Sequence, residues 1–278
     1  MEKIAVISDI HGNLEALNKA LEDIKKRGIN KIICIGDIIA KGTHQNECVD
    51  LVKDNCFVVL KGNCEEFFSN PEHDITASEV DIKRAKWVRS KVTSDNLLYL
   101  RNLPFSYELY ISGRLVRFYH AHPKIIDKNI SNIDNLENLY DLFLPSENTI
   151  SNKKADVIVY GHIHTQYMQR IYNRTIINTG SIGNSLDVIR NDNKDGDIKN
   201  TTCVNYLIIE GNIGSHNMDD NISYEFVNLS YDIEKELSTN TDNIEFESYK
   251  EELINGKYRN KDKINKFFES RGIDIDKI

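Results

Sequence analysis

The chain lacks a long apolar run, a paired-cysteine pattern and a cluster of basic residues, and each gap removes a class of protein. No stretch approaches the roughly 20 apolar residues that a membrane-spanning helix needs, and no cleavage-like site follows the opening strand. The expectation is a soluble, cytoplasmic protein without a signal peptide and without a membrane partner. The five cysteines, Cys34, Cys48, Cys56, Cys64 and Cys203, are odd in number and have no C-x-x-C spacing. That pattern argues against a disulfide framework and a structural zinc site, and fits a reducing compartment. Lysine and arginine number 35 against 43 acidic residues, for a net charge of -8. With no long basic run, general binding to nucleic-acid backbones is not expected, and a small phosphate-bearing partner stays open. Internal repeats and linker-like segments are also missing.

What is present suffices for one large core: 278 residues, 40% of them hydrophobic. A single domain over 1–278 is expected. Ile4 to Ile7 is a short continuous apolar run of the buried-strand type, followed by a loop and then by Leu14, Leu17, Leu21 and Ile24 on one helical face. Gly28 closes that helix. Ile32 to Ile35 and Phe57 to Leu60 repeat the strand pattern, with a helical segment through Cys48, Leu51 and Val52 between them. Strand, helix, strand, helix, strand predicts a parallel sheet with right-handed crossovers, an α/β architecture.

Further along, Thr76 to Lys91 reads as a helix opened by a capping box of Thr76 and Glu79, carrying the sole tryptophan, Trp87. It sits in a helical insertion over residues 66–103, expected to roof part of the cleft. Residues 105–119 alternate as a β-hairpin, 124–154 are loosely patterned, and Val157 to Tyr160 is another buried strand. Strands are expected at 167–171, 175–178, 204–209 and 224–229. Asn191 to Thr202, dense in Asn, Asp, Lys and Gly, reads as a surface loop. From 232 to 278 the chain is highly charged and reads as a helical tail, solvated, with Tyr249, Leu253, Phe267 and Phe268 as anchors.

Chemistry-bearing residues stand where the predicted strands run out: Asp9-Ile10-His11, Gly36-Asp37, Gly62-Asn63, His120, and Gly161-His162-Ile163-His164. Five segments can therefore converge on one sheet edge. Carboxylate, imidazole and amide oxygen are the donors that hard and borderline divalent ions take, and two ions about 3.5–4 Å apart need a shared carboxylate. The i and i+2 spacing within Asp9/His11 and His162/His164 lets both side chains of each pair leave a strand end toward the same side.

The order D-x-H, G-D, G-N, a lone histidine and G-H-x-H resembles that of the calcineurin-like metallophosphoesterases. Ser8 to Asn13 and Asn178 to Gly183 are similar in particular to the small bacterial phosphodiesterase branch. The resemblance covers residues 9 to 183 and implies a two-sheet β-sandwich flanked by helices. It further implies one metal held by Asp9, His11, Asp37 and His164, and a second held by Asp37, Asn63, His120 and His162. Mn, Fe, Ni, Co and Zn are all admissible with such mixed N and O donors. The implied activity is hydrolysis of a phosphate ester, a phosphodiester in preference, by a hydroxide between the two ions. Asp37, Asn63, His120 and His162 stand at the reacting centre. Alternatives are a phosphomonoesterase, a dinucleoside-polyphosphate hydrolase, or a metal-binding scaffold with slow turnover.

Two departures from the family pattern bear on that activity. Related phosphatases place a histidine after Gly-Asn, where this chain has Cys64, and the protein phosphatases carry Asp-Arg-Gly where it reads Ala40-Lys41-Gly42. The first removes an imidazole that could protonate a leaving group; the second removes a bidentate phosphate clamp. Cys64 has an equally good reading as a buried neutral thiol. His122 is read as a non-ligand, His44 and His73 as surface residues, and Gly180 to Gly183 as a turn between strands.

Overall fold

In the computed structural model, residues 1–186, 188–192, 198–239, 242–255, 270 and 272 are described. The first half alternates as expected: β1 (Glu2–Ile7), α1 (Leu14–Lys26), β2 (Lys31–Cys34), α2 (Gln45–Asn55) and β3 (Val58–Val59). These strands pair in parallel, β1 with β2 and β2 with β3. The helix α1 begins where Asn13 Oδ1 accepts from Ala16 N at 3.0 Å, satisfying an N-terminal donor that the helix itself cannot. Its inward residues Ala16, Leu17, Ala20 and Ile24 pack on the sheet.

After β3 the chain makes α3 (Asn63–Ser69), a 3-10 turn (Pro71–Ile75), α4 (Glu79–Ser90) and α5 (Ser94–Arg101). The anticipated start of α4 at Thr76 is not observed. Thr76 N instead bonds His73 O to end the preceding turn, and Ser78 Oγ caps the helix by accepting from Asp81 N. Trp87, Val88, Leu100 and Leu103 from this insertion join Cys48, Val49, Val52 and Cys64 in one cluster, so it packs on the helical layer beside α2.

The second half builds another sheet from β4 (Ser106–Ile111), β5 (Arg114–Tyr119), β6 (Val157–Tyr160), β7 (Gln166–Ile171) and β8 (Arg174–Thr179), with α6 (Leu136–Asp141) on its outer face. Next come β9 (Val188–Asp192) and β10 (Ile198–Thr202), which pair antiparallel. Of the stretch read as a surface loop, residues 191–192 and 198–202 pair in this ladder and 193–197 lie outside the described residues; backbone pairing between the two arms overrides a turn-rich composition. Finally β11 (Val204–Gly211) and β12 (Ser223–Leu229) return to the first sheet, and α7 (Ile233–Ser238) and α8 (Phe246–Asn255) follow. The strand orders are β12-β11-β1-β2-β3 and β4-β5-β6-β8-β7.

The period-2 alternation of each strand separates the core into layers. Ile4, Val6, Ile33 and Ile35 of the first sheet meet Val116, Phe118, Val157, Val159 and Ile177 of the second. The opposite faces take helices: Ala5 and Ile7 pack on α1, while Tyr119, Ile158 and Tyr160 pack with Leu139 of α6 and with Phe143. Each such fully buried aliphatic contributes about 1.5–3 kcal/mol. The fold is the two-sheet β-sandwich flanked by helices.

Several local expectations change. Tyr249 and Leu253 of α8 are buried anchors, whereas Phe267 and Phe268 lie outside the described residues. The acidic tail is not all solvated, because Glu236 and Glu252 are buried. His44 and His73 are half-buried, bonded to Thr239 Oγ1 and Glu66 Oε1 respectively. Among the described residues no helix is long and apolar enough to cross a membrane.

Candidate metal centre

Parallel strands bring their C-terminal ends to one edge, and the candidate residues follow those ends directly: Asp9 after β1, Asp37 after β2, Asn63 after β3, His120 after β5, His162 and His164 after β6. The loops are tightly wound. Asp9, His11, Asp37, His162 and His164 all have a left-handed backbone, with φ between 53° and 67°. Non-glycine residues rarely adopt this conformation, and such strain concentrates at functional sites. At Gly62 any Cβ would overlap the Asp37 carboxylate and backbone nitrogen, so glycine is required for the two loops to touch.

Three of the four imidazoles share one orientation. Nδ1 of His11, His120 and His164 faces a backbone carbonyl, of Ile39 at 3.3 Å, Ile35 at 3.0 Å and Asn184 at 2.6 Å. His162 bonds the backbone of Asp127. A carbonyl only accepts, so His11, His120 and His164 each carry a proton on Nδ1 and turn Nε2 toward the cluster. There the Nε2 atoms meet one another and the neighbouring oxygens. His11 Nε2 lies 3.0 Å from His164 Nε2, and His120 Nε2 lies 3.0 Å from Asn63 Oδ1. Asp9 Oδ1 and His162 Nε2 are buried without a hydrogen-bond partner.

The carboxylates sit between the rings. Asp9 Oδ1 faces Nε2 of His164 at 3.3 Å, His11 at 3.8 Å and His120 at 3.9 Å, while Asp9 Oδ2 accepts from Ser8 Oγ and His162 N. Asp37 turns Oδ1 to His120, 3.4 Å away, and Oδ2 to His11, 3.8 Å away. Its two oxygens therefore face two different groups of imidazoles. Asp9, His11 and His164 form one set of donors within reach of a single ion, and Asp37, His120 and His162 form another. All seven candidate residues are brought together, and the donor chemistry fits divalent cations.

The fields agree with this geometry. Burial opposes ionisation of Asp9, but the neighbouring His164 and His120 outweigh it and hold the carboxyl well below the usual range. For His120 burial favours the neutral ring, yet Asp37, Asp9 and Glu65 prevail and raise it above the ordinary imidazole value. Burial, helped by the charge of His120, pushes His162 down to about 3.

A family model of the calcineurin-like phosphoesterase superfamily domain matches residues 2–192. The chain belongs to that superfamily. An uncharacterized protein of Methanocaldococcus jannaschii is 35% identical over 202 residues, covering 67% of this chain and 78% of that protein. The metallophosphoesterase from Sphaerobacter thermophilus has a TM-score of 0.58 at 22% identity, covering 85% of this chain and 92% of the other. A hypothetical protein from Pyrococcus horikoshii reaches a TM-score of 0.68 at 15% identity, covering 93% and 100%. At those identities the two structures establish the shared fold of this calcineurin-like phosphoesterase and nothing finer.

His122 is placed apart from the cluster: its Nδ1 accepts from Lys124 N at 3.2 Å and its Nε2 faces Asp141 Oδ2 at 3.2 Å. Cys64 lies inside it, with N and Sγ directed at the Asp37 carboxylate at 2.8 and 3.1 Å. Burial and the adjacent Asp37 charge push this thiol well above its ordinary value, so it is neutral. Sequence reasoning missed Glu65, whose carboxylate accepts from Asp37 N, Ile38 N, Ile39 N and Gly62 N and so staples the β2 and β3 loops together. Its signal was available, an acidic residue at the third position of a helix that opens on Gly62-Asn63. The turn at Gly180 to Gly183 also does more than join strands. Ser181 Oγ and Gly183 N both donate to Asp9 O, and Ile182 N donates to Ser8 O, fixing the Asp9 loop.

Proposed function

We propose that this calcineurin-like phosphoesterase is a dinuclear metal-dependent phosphodiesterase. The observation that carries the reading is the convergence of four imidazoles on the Asp9 and Asp37 carboxylates, a donor set that suits divalent cations. Asp9, His11, Asp37 and His164 would hold one ion; Asp37, Asn63, His120 and His162 would hold the other, with Asp37 shared. Ions bound there supply Lewis acidity toward phosphoryl oxygens and an activated water at neutral pH.

The chain's own residues shape what is cleaved. Carbonyls of Ile39, Ile35 and Asn184 fix the ring tautomers, and Glu65 keeps the β2 and β3 loops in register, so the donors need no rearrangement. Preference for a diester rests on two features. Lys41, the cation at the position of the protein-phosphatase arginine, is bonded to Glu252, which leaves a dianionic monoester without a matched clamp. Cys64 is a neutral thiol bonded to Asp37, and His122 is turned to Asp141, so neither is poised to protonate a strongly basic leaving oxygen. The whole of 1–278 is read as one domain, with the 66–103 insertion and the tail from 232 as its appendages, in a cytoplasmic protein. A panel of a phosphodiester, a phosphomonoester and a dinucleoside polyphosphate, run with Mn-loaded protein, tests the assignment. The diester should turn over fastest; metal retained without hydrolysis of any activated ester would instead favour a scaffold.

A further inference from the structure

The C-terminal helix reaches the metal-centre loops through buried charge. Glu252 Oε2 on α8 accepts from Asn184 Nδ2 at 2.7 Å and from Lys41 Nζ at 3.2 Å. Lys41 Nζ also donates to Asn184 Oδ1 at 3.1 Å, and the carbonyl of that same Asn184 holds His164 Nδ1 at 2.6 Å. Lys41, Asn184, His164 and Glu252 are exposed by only 6%, 2%, 3% and 3%. A second tie comes from the segment before α8, where Asn243 Nδ2 donates to Lys41 O at 2.7 Å. Ala40 and Lys41 both have a left-handed backbone, and their loop carries Ile39, whose carbonyl orients His11. Three chain segments therefore meet at two of the rings, and one of them lies beyond the residues matched by the family model.

Folding alone does not explain a salt bridge there, because an apolar pair of similar volume holds a buried contact at less desolvation cost. A lysine beside a site for divalent cations is a liability, and a buried carboxylate is what cancels it. We propose that Glu252 is a positioning residue of the metal centre: it orients Asn184, and through it His164, and neutralises Lys41, so the chain beyond residue 192 sets the affinity of the site for divalent cations. This rests on reading the Asp9–His164 cluster as a metal site.

The test is calorimetric titration of metal-stripped protein with Mn2+, with melting curves of the same metal-free samples, on wild type, E252Q and K41M. Both variants should melt lower, since each removes one partner of a buried ion pair. Their affinities should move in opposite directions. E252Q removes one negative charge beside the site and should weaken Mn2+ binding by about tenfold or more, the range for outer partners of ligand histidines. K41M leaves the carboxylate and should bind Mn2+ more tightly than wild type. Equal affinity in all three proteins, or weakening in both variants, would overturn the proposal and leave α8 a packing element. If E252Q does not fold, K41M decides, tighter binding supporting the proposal and unchanged or weaker binding overturning it. Wild type taking up no Mn2+ would bring down the metal-site reading, and this inference with it.

Discussion

His11 Nε2 and His164 Nε2 lie 3.0 Å apart across 153 residues of sequence, each ring with its Nδ1 against a carbonyl. Two imidazole nitrogens sit that close with a proton or a metal ion between them. A bound divalent cation takes the place of that proton. Adding Mn2+ to metal-stripped protein should raise its melting temperature, and a chelator should reverse the shift. At a hundredfold excess over the dissociation constant the gain is about 2.7 kcal/mol. Unchanged melting with and without Mn2+ would count against the cluster as a cation site.

Asp37 directs one oxygen at His120 and the other at His11. Asp37→Asn removes the shared charge while keeping the shape, and should reduce both metal content and hydrolysis by more than about a hundredfold, beyond the loss of a mere outer partner. Elemental analysis and a rate on an activated diester check it. A variant that keeps both metals and a near-normal rate would displace Asp37 from its bridging place.

His120 in the metal-free protein is held above the ordinary imidazole value by Asp37, Asp9 and Glu65, against the effect of burial. Its protonation stabilises that form fully below the unfolded value, about 6.5, and the contribution is lost as pH rises through the raised folded value. A metal must displace the same proton, so Mn2+ affinity should climb as pH rises toward the raised folded value and level off above it, over the range in which this part of the metal-free stability declines. Titrations at several pH values on wild type and His120→Gln give the comparison; the variant should show a flatter dependence.

Cys64 offers Asp37 a neutral thiol where an imidazole would offer a transferable proton. Rates on esters with leaving groups of graded acidity should fall steeply as the leaving group becomes more basic. Cys64→His should flatten that dependence, recovering up to about a hundredfold on the poorest leaving groups. A flat dependence already present in wild type would mean that another acid serves the reaction.

The fold was legible wherever burial and periodicity agree. The runs Ile4 to Ile7, Ile32 to Ile35 and Val157 to Tyr160 are strands because every second residue faces a separate apolar layer. The convergence of the seven candidate residues was legible too, since they lie in the loops that follow predicted strands. What the sequence hid depends on pairing between distant segments. Ser78 displaced Thr76 as a helix cap because the preceding turn used Thr76 N, and the β9–β10 ladder overrode a loop-like composition. Glu252 looked like one more solvated acid; only the folded chain sets it against Lys41 and Asn184.

The central claim, seven residues holding two ions, is tested most directly by metal stoichiometry. Purified protein saturated with Mn2+ and freed of excess should carry two equivalents in wild type and in His122→Ala, whose ring faces Asp141. His120→Ala should carry one, having lost a donor beside Asn63 and Asp37. Wild type that retains no Mn2+, or a His120→Ala protein that retains two equivalents while His122→Ala loses one, would contradict the account.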